Sequence, residues 1–118
     1  MIWGLQWDAT CNWLASSGFS ITNSSTWGNY SNNDATGHGS EQNTGFSESW
    51  KANNIYDFAG NCFELTQEAY GTYGRARRGG SYSDDDSSGP ASYRGDGVPT
   101  GTYSFSGGGS RPTLYLIP

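Results

Sequence analysis

Three side chains of this 118-residue chain could act as nucleophiles, bases or soft metal ligands: Cys11, Cys62 and His38. A zinc site needs about four clustered nitrogen or sulfur ligands, and these residues cannot supply them. Serine- and cysteine-protease mechanisms would both need His38 as the base. It lies in the glycine-flanked loop DATGHGSE (34–41), where an exposed histidine is expected. The two cysteines are expected to be free thiols that fill space in the core, although the sequence leaves a disulfide between them open.

The charge and composition of the chain exclude several classes of partner. Six basic and eleven acidic side chains give a net charge of −5, so phosphate backbones and anionic membranes would repel it. No apolar run approaches the roughly 20 residues of a membrane span. We therefore expect neither nucleic-acid binding nor membrane insertion. Five Trp, eight Tyr and five Phe are typical of a folded domain rather than a disordered one.

The elements that would carry these side chains are short and separated by loops. Trp7, Cys11 and Leu14 recur at helical spacing within residues 1–18, which predicts a helix with Asp8 in its first turn and Gly18 as its left-handed cap. Residues 20–47 should then form a long surface excursion. Four side chains are expected to anchor it: Ile21, Trp27, Tyr30 and Phe46.

Strands are expected from residue 54 onward. The segment NIYDFAGNCFELT (54–66) predicts a turn at Gly60-Asn61 followed by a buried strand. RARRGGSY (75–82) predicts a strand interrupted by a glycine pair, which indicates a bulge or a close backbone approach. TLYLIP (113–118) predicts a closing strand. The fold class is therefore α+β, rich in loops, with one or two helices and short antiparallel strands.

The last forty residues (79–118) differ in composition from the rest of the chain. They contain nine Gly, eight Ser, four Asp and four Tyr but no Lys, Glu, Gln, Met or Trp, whereas about five Lys and Glu would be expected. A flexible linker rarely carries aromatic residues at this density. Tyr, Ser, Gly and Asp together are instead typical of an antibody-like binding surface. There Tyr supplies contact area, while Ser and Gly supply hydrogen bonds and loop shape.

Three motifs in this order, NIYDFAGNCFELT, RARRGGSY and SRPTLYLIP, resemble the formylglycine-generating-enzyme branch of the C-type-lectin-like fold. That family carries a pattern of the type GNvwEw, then RGGSw, then a closing GFRp, whose aromatic residue is absent here. Within the branch, the chain resembles the variable proteins of diversity-generating retroelements, which include phage tropism determinants. In those systems, mutated adenines in Asn codons reach every amino acid except Lys, Glu, Gln, Met and Trp. Those five types are the ones missing from 79–118.

The resemblance implies a single C-type-lectin-like domain over residues 1–118. We call residues 1–78 the framework and residues 79–112, where hypervariability is expected, the variable segment; 113–118 is the closing strand. It also implies a non-enzymatic domain that binds a protein or glycan ligand on a host cell or in the environment. Such a domain would sit at a phage tail tip or on a bacterial exterior, as a homo-oligomer.

Two sets of residues follow from this expectation. Those expected to hold the variable segment in place are Arg78, Gly79, Gly80, Tyr82, Pro90, Arg94, Arg111 and Pro112. Those expected to contact ligand are Ser83, Asp84, Asp85, Tyr93, Gly95, Asp96, Gly97, Val98, Gly101, Tyr103, Ser104, Phe105 and Ser106. Tyr93, Tyr103 and Phe105 are expected to be the energetic anchors, because large aromatic side chains dominate binding hot spots.

The alternative is a metal-binding relative of the formylglycine-generating enzymes with residual or no catalysis. The chemistry of those enzymes depends on a cysteine pair after the RGGS element, and no cysteine follows Cys62, so thiol oxidation is not expected. The resemblance also implies calcium, for which Gly60, Cys62 and Glu64 would be the ligands. A role for Glu64 as a hydrogen-bond acceptor in a turn is favoured over calcium binding. No cofactor is expected to be required, and a calcium or copper titration would separate the two functions.

Overall fold

The computed structural model describes residues 1–97 and 108–112. Within these ranges lie one α-helix, one short 3-10 helix and six strands in two sheets. Their bounds are α1 (Gly4–Ser16), η1 (Glu48–Trp50), β1 (Lys51–Ala52), β2 (Ile55–Tyr56), β3 (Phe63–Tyr70), β4 (Gly74–Arg78), β5 (Arg94–Gly97) and β6 (Gly108–Ser110). The loop-rich α+β class expected from the sequence is confirmed. The predicted closing strand (113–118) lies outside the described residues.

The helix expected near the N-terminus is α1, and its buried stripe is the one that the spacing predicts. Trp7, Cys11 and Leu14 are buried, and the chain leaves the helix where Gly18 takes a left-handed conformation with φ +95°. One detail of the prediction is wrong. Because α1 begins at Gly4, Asp8 lies beyond its first turn, where it meets an arginine of β4 rather than the helix N-terminus.

The larger sheet has the strand order β5-β4-β3-β6. β4 is antiparallel to both β3 and β5, but β6 runs parallel to β3. The expectation of antiparallel strands alone is therefore wrong for β6. A three-residue strand of sequence Gly-Gly-Ser has no side-chain pattern that indicates its direction, which is set by how the chain returns to the sheet. The smaller sheet is the antiparallel pair β1–β2.

Glycines shape the turns on either side of β3 and β4. Gly60 and Asn61 both have positive φ, +68° and +61°, and β3 begins two residues later, so the predicted turn and strand are confirmed. A Cβ at Gly60 would lie 2.2 Å from the carbonyl oxygen of Asn29, and only glycine fits there. The pair Gly79-Gly80, with φ of +86° and +68°, ends β4 in a second close backbone approach.

The long excursion between α1 and η1 is anchored differently from the prediction. Trp27 and Tyr30 are buried and Ile21 is partly buried, as expected. Phe46 is 52 % exposed and only stacks on Trp50, with ring centres 5.8 Å apart. The prediction that Phe46 anchors the excursion in the core is therefore wrong.

Buried asparagine amides supply the anchoring that the apolar side chains do not. Nδ2 of Asn29 donates to the Ser40 carbonyl at 2.8 Å and to Oδ1 of Asn61 at 3.0 Å. Oδ1 of Asn29 accepts from the main-chain N–H of Gly39 at 3.0 Å. Fully satisfied amides of this kind cost little to bury and fix one loop conformation.

The core lies where α1 meets the loops around β3 and β4. The ring of Trp7 stacks on Phe58, with ring centres 4.1 Å apart and an angle of 17° between the planes. Leu14, Trp27 and Tyr30 pack into the same apolar cluster. Within residues 1–97 and 108–112, no helix is long and apolar enough to cross a bilayer.

Candidate functional site

The framework holds the first loop of the variable segment largely by that loop's main-chain atoms. Nε1 of Trp7 donates to the carbonyl of Ala91 at 2.9 Å, and the N–H of Ala91 donates to Oγ of Ser24 at 3.0 Å. The N–H and Oγ of Ser31 both donate to the carbonyl of Asp84, at 2.9 and 3.0 Å. Every amino acid except proline carries both of these main-chain groups, so these hydrogen bonds use no side chain of the loop.

Arg78, at the end of β4, is another framework side chain that donates to main-chain carbonyls of the loop. Its side chain is 3 % exposed, and its Nε donates to the carbonyl of Tyr93 at 2.8 Å. Nη2 donates to Oδ1 of Asp8 on α1 at 2.6 Å and, at 3.4 Å, to the carbonyl of Ser92. Nη1 lies 3.6 Å from Oε2 of Glu68. A single guanidinium thus joins the helix, the sheet and the loop.

The two other arginines expected to hold the variable segment in place also pair with carboxylates. Nε of Arg94 donates to Oε1 of Glu68 at 2.5 Å, although the Arg94 side chain is 45 % exposed. Arg111 donates a hydrogen bond to each carboxylate oxygen of Glu64, with Nη2–Oε1 at 2.8 Å and Nε–Oε2 at 3.1 Å. It also donates to the carbonyl of Tyr56 at 3.0 Å, so the end of the described chain is fixed to β2 and β3.

The glycine pair allows the loop to lie against the framework. A Cβ at Gly79 would lie 2.8 Å from the carbonyl oxygen of Phe58, and one at Gly80 would lie 1.9 Å from that of Gly89. The second distance is far inside van der Waals contact, and the contacted atom is backbone that cannot rotate away. Gly80 and Gly89 therefore mark the point where the two ends of the loop 80–89 meet.

The remaining residues expected to hold the segment play smaller parts. Tyr82 is half-buried, and its N–H donates to the carbonyl of Asn61 at 2.8 Å. Pro90 is half-buried, and its carbonyl accepts from the N–H of Tyr93 at 2.8 Å. Pro112 is exposed.

The expected contact residues fall into three groups. Ser83, Asp85 and Asp96 are exposed, and Asp84 and Tyr93 are half-buried. Gly95 and Gly97 are buried in β5 and, contrary to expectation, do not lie on the surface: Cβ atoms there would meet the Tyr93 hydroxyl at 2.2 Å and Leu65 at 2.5 Å. The other expected contact residues lie outside the described residues: Val98, Gly101, Tyr103, Ser104, Phe105 and Ser106.

Two of the acidic side chains support the loop itself. Oδ2 of Asp84 accepts from the N–H and Oγ of Ser81, at 2.8 and 2.9 Å. Oδ1 of Asp85 accepts from the N–H groups of Ser87 and Ser88, at 3.0 and 2.8 Å, and from Oγ of Ser87. Hydrogen bonds from these two serines lower the pKa of Asp85 below the ordinary carboxyl value, because they stabilise the ionised form.

The donor set expected for calcium does not fit a cation. Glu64 is buried and both of its oxygens accept hydrogen bonds from Arg111, so a guanidinium already stands where the metal would. Burial raises the pKa of Glu64, and the Arg111 charge opposes that rise. Among the described residues, no three His, Cys, Asp or Glu side chains cluster closely enough to hold a metal ion.

The prediction of free thiols is confirmed, but the prediction that both fill space in the core is wrong for Cys62. Cys11 and Cys62 are both free, Cys11 in the core and Cys62 partly exposed. Burial raises the pKa of each thiol to about 11, which leaves little thiolate at neutral pH. His38 is exposed in its loop.

Sequence reasoning missed a depression of about 250 Å3 beside the exposed loop residues. It is lined by Phe63, Arg77 and Tyr93, and by five residues of the loop 80–89: Gly80, Ser81, Ser83, Asp84 and Ser88. Arg77 was overlooked because it belongs to the run RARR, in which any arginine could point to solvent. The available signal was strand alternation: in β4, Arg77 shares a face with Arg75, opposite to buried Arg78.

Comparison with known proteins supports the fold. No protein-family model matches the chain, and no curated protein sequence does. Among solved structures, Treponema denticola variable protein 1 has a similar fold, with a TM-score of 0.58 and 20 % sequence identity over 86 % of this chain. The match covers 44 % of that protein's chain. The resemblance to variable proteins, drawn from the three motifs together with the five amino-acid types missing from 79–118, is thus confirmed at the level of the fold.

Proposed function

We propose that this chain is a non-enzymatic ligand-binding domain whose variable segment is diversified by a retroelement. Its ligand is a protein or glycan displayed on a cell or in the environment. The domain acts at a phage tail tip or on a bacterial exterior, in a homo-oligomer. Neither a cofactor nor a metal takes part in binding.

The observation that carries this proposal is how the framework contacts the loop 81–93. Trp7, Ser31 and Arg78 all reach main-chain carbonyls of that loop. A loop held by its backbone keeps its course when its exposed side chains change. Such an arrangement suits a surface on which many different side chains must be displayed, and a packed structural loop has no need of it.

Two further features support the proposal. The variable segment lacks the five amino acids that adenine mutagenesis of Asn codons cannot produce, as in the retroelement systems that the sequence resembles. The fold is also that of a protein named as variable. Against enzyme function, burial raises the pKa of both thiols to about 11, which disfavours the thiolate that a nucleophile needs. His38 has no carboxylate within 4.0 Å among the described residues that could orient it as a base.

Sequencing natural copies of the gene and their flanking DNA tests this function. We expect the copies to differ at the exposed positions Ser83, Asp85, Ser87 and Ser88. We expect them to agree at Gly89 and Ala91, where the structure leaves no room for a larger side chain. A near-identical template repeat and a reverse transcriptase gene should lie nearby. Differences spread evenly over 1–112 would overturn the proposal.

A further inference from the structure

A small depression lies between β4 and the loop that follows the glycine pair, on the candidate surface. Its volume of about 250 Å3 is below that of pockets for drug-sized ligands and suits a single small ring or side chain. Its lining includes the guanidinium of Arg77, the rings of Phe63 and Tyr93, and the exposed serines Ser83 and Ser88.

Aromatic rings hold Arg77 in place. Its guanidinium carbon lies 4.8 Å from the ring centre of Phe63 and 5.8 Å from that of Tyr93. Nη2 donates a long hydrogen bond of 3.4 Å to the Tyr93 hydroxyl, which reaches this point only because Gly95 has no side chain. Stacked arginines of this kind are pre-organised, so their N–H edges can receive a planar anion with little loss of entropy.

Arg77 also lacks the carboxylate partner that three other arginines of the chain have. Arg78, Arg94 and Arg111 each pair with a carboxylate, but none of the described acidic side chains lies within 4.0 Å of Arg77. Its Nε is buried and has no hydrogen-bond partner among the described residues. Arg75 also lacks a carboxylate within 4.0 Å in the described part of the chain, but its side chain is exposed to solvent. In a chain with eleven acidic and six basic side chains, a half-buried guanidinium without an acid indicates a partner from outside.

We propose that this depression binds the carboxylate of an acidic sugar, such as a uronic acid within a glycan ligand. The inference rests on the ligand-binding function proposed above. The carboxylate pairs with the terminal Nη groups of Arg77, because Nε is buried. The hydroxyls of Ser83 and Ser88, together with Oδ1 of Asp84, the oxygen that Ser81 does not use, exchange hydrogen bonds with the ring hydroxyls.

The rim of the depression favours a sugar acid over other anions. An aspartyl or glutamyl side chain offers one polar group, so it would form fewer hydrogen bonds with the hydroxyls of Ser83 and Ser88 and with Oδ1 of Asp84. A phosphate monoester carries a second negative charge, so the carboxylate of Asp84 would repel it more strongly than it repels a singly charged uronate. A uronic acid combines one negative charge with several hydroxyls on one small ring.

The residues that line the depression come from both parts of the chain. Phe63 and Arg77 are framework residues, whereas Ser83, Ser88 and Tyr93 lie in the variable segment. The acid-binding group is therefore constant among copies, and the changing rim selects among acidic sugars. Such a division would direct every copy toward one ligand class while its fine specificity varies.

Titrations of the whole domain with sodium glucuronate, glucose and acetyl-aspartate amide, followed by NMR at constant ionic strength, test this inference. We expect glucuronate to shift the amide signals of Ser83, Ser88 and Tyr93, and to bind at least about tenfold more tightly than either other probe. Arg77→Gln should weaken glucuronate binding by about tenfold or more, equivalent to about 1.4 kcal/mol. The matched control Arg75→Gln removes the same charge from the same face of β4 and should change binding less than about twofold.

Four results would overturn the inference: glucose binding as tightly as glucuronate, acetyl-aspartate amide binding more tightly, equal losses in the two arginine variants, or no shift at these amides. The comparison of probes on the unmodified protein holds even if Arg77→Gln fails to fold.

The proposed function is tested separately, by the sequences of natural copies. If natural copies vary in 79–112 but the domain does not bind glucuronate, the proposed function holds and this inference fails. If the domain binds glucuronate but the copies do not vary there, this inference about the depression holds and the proposed function fails.

Discussion

Arg78 is the residue on which the contact between the framework and the variable segment most depends. Its buried guanidinium donates to two carbonyls of the loop and to Asp8 of α1, and it lies 5.9 Å from the ring of Trp7. A lysine has one point of charge and cannot serve these directions at once. The position needs the forked geometry of arginine in addition to its charge.

Replacing Arg78 with Gln should therefore lower the free energy of unfolding by about 2–4 kcal/mol, because several charge-assisted hydrogen bonds are lost at a buried site. Arg94→Gln is the control. It removes an arginine–carboxylate pair of similar chemistry, but one whose arginine is 45 % exposed, and should cost less than about 1 kcal/mol. Urea denaturation followed by Trp fluorescence measures both. Equal costs would show that burial of Arg78 contributes nothing.

At the scale of elements, the contact that fixes the loop 80–89 is the one between its two ends. Gly80 and Gly89 touch backbone to backbone, which closes the loop at its base. Ser81 and Asp84 then fix the first turn of that loop. The loop is thus held at its ends and, through Ser31, at the carbonyl of Asp84. The side chains of Ser83, Asp85, Ser87 and Ser88 face solvent.

Gly80→Ala tests this closure, and Gly71→Ala is a close match for it. Both glycines have nearly the same positive φ, +68° and +65°, so both alanines carry the same backbone strain, about 1–2 kcal/mol. A Cβ at Gly71 meets nothing within 4 Å, whereas one at Gly80 lies 1.9 Å from backbone. Gly80→Ala should cost at least about 2 kcal/mol more by thermal denaturation. Equal melting temperatures would mean that the loop base is open.

Local patterns in the sequence predicted the elements whose cause is local. The spacing of Trp7, Cys11 and Leu14 is enough to define a helix face, and Gly60-Asn61 is enough to define a turn. Asn29 could not be recognised as an anchor, because its partners Gly39 and Ser40 become neighbours only after folding. The partner strand and direction of β6, and the rings that hold Arg77, likewise depend on contacts distant in sequence.

For the molecule as a whole, stability and recognition are assigned to different parts of the chain. The apolar core is formed almost entirely by framework residues, with Ala91 as its one member from the described part of the variable segment. The framework also supplies most of the polar groups that position the loop. Changes on the exposed loop should therefore alter binding without altering folding.

Introducing large side chains into the loop tests that separation directly. The double variant Ser83→Tyr with Ser87→Tyr adds two rings at exposed positions and should shift Tm by less than about 4 °C, because surface substitutions are nearly neutral. Ala91→Tyr adds the same ring where Ala91 is 0 % exposed, and should unfold the domain or lower Tm by more than about 10 °C. Calorimetry distinguishes the two. If both variants lost the same stability, the loop would be part of the core, and its side chains would not be free to vary.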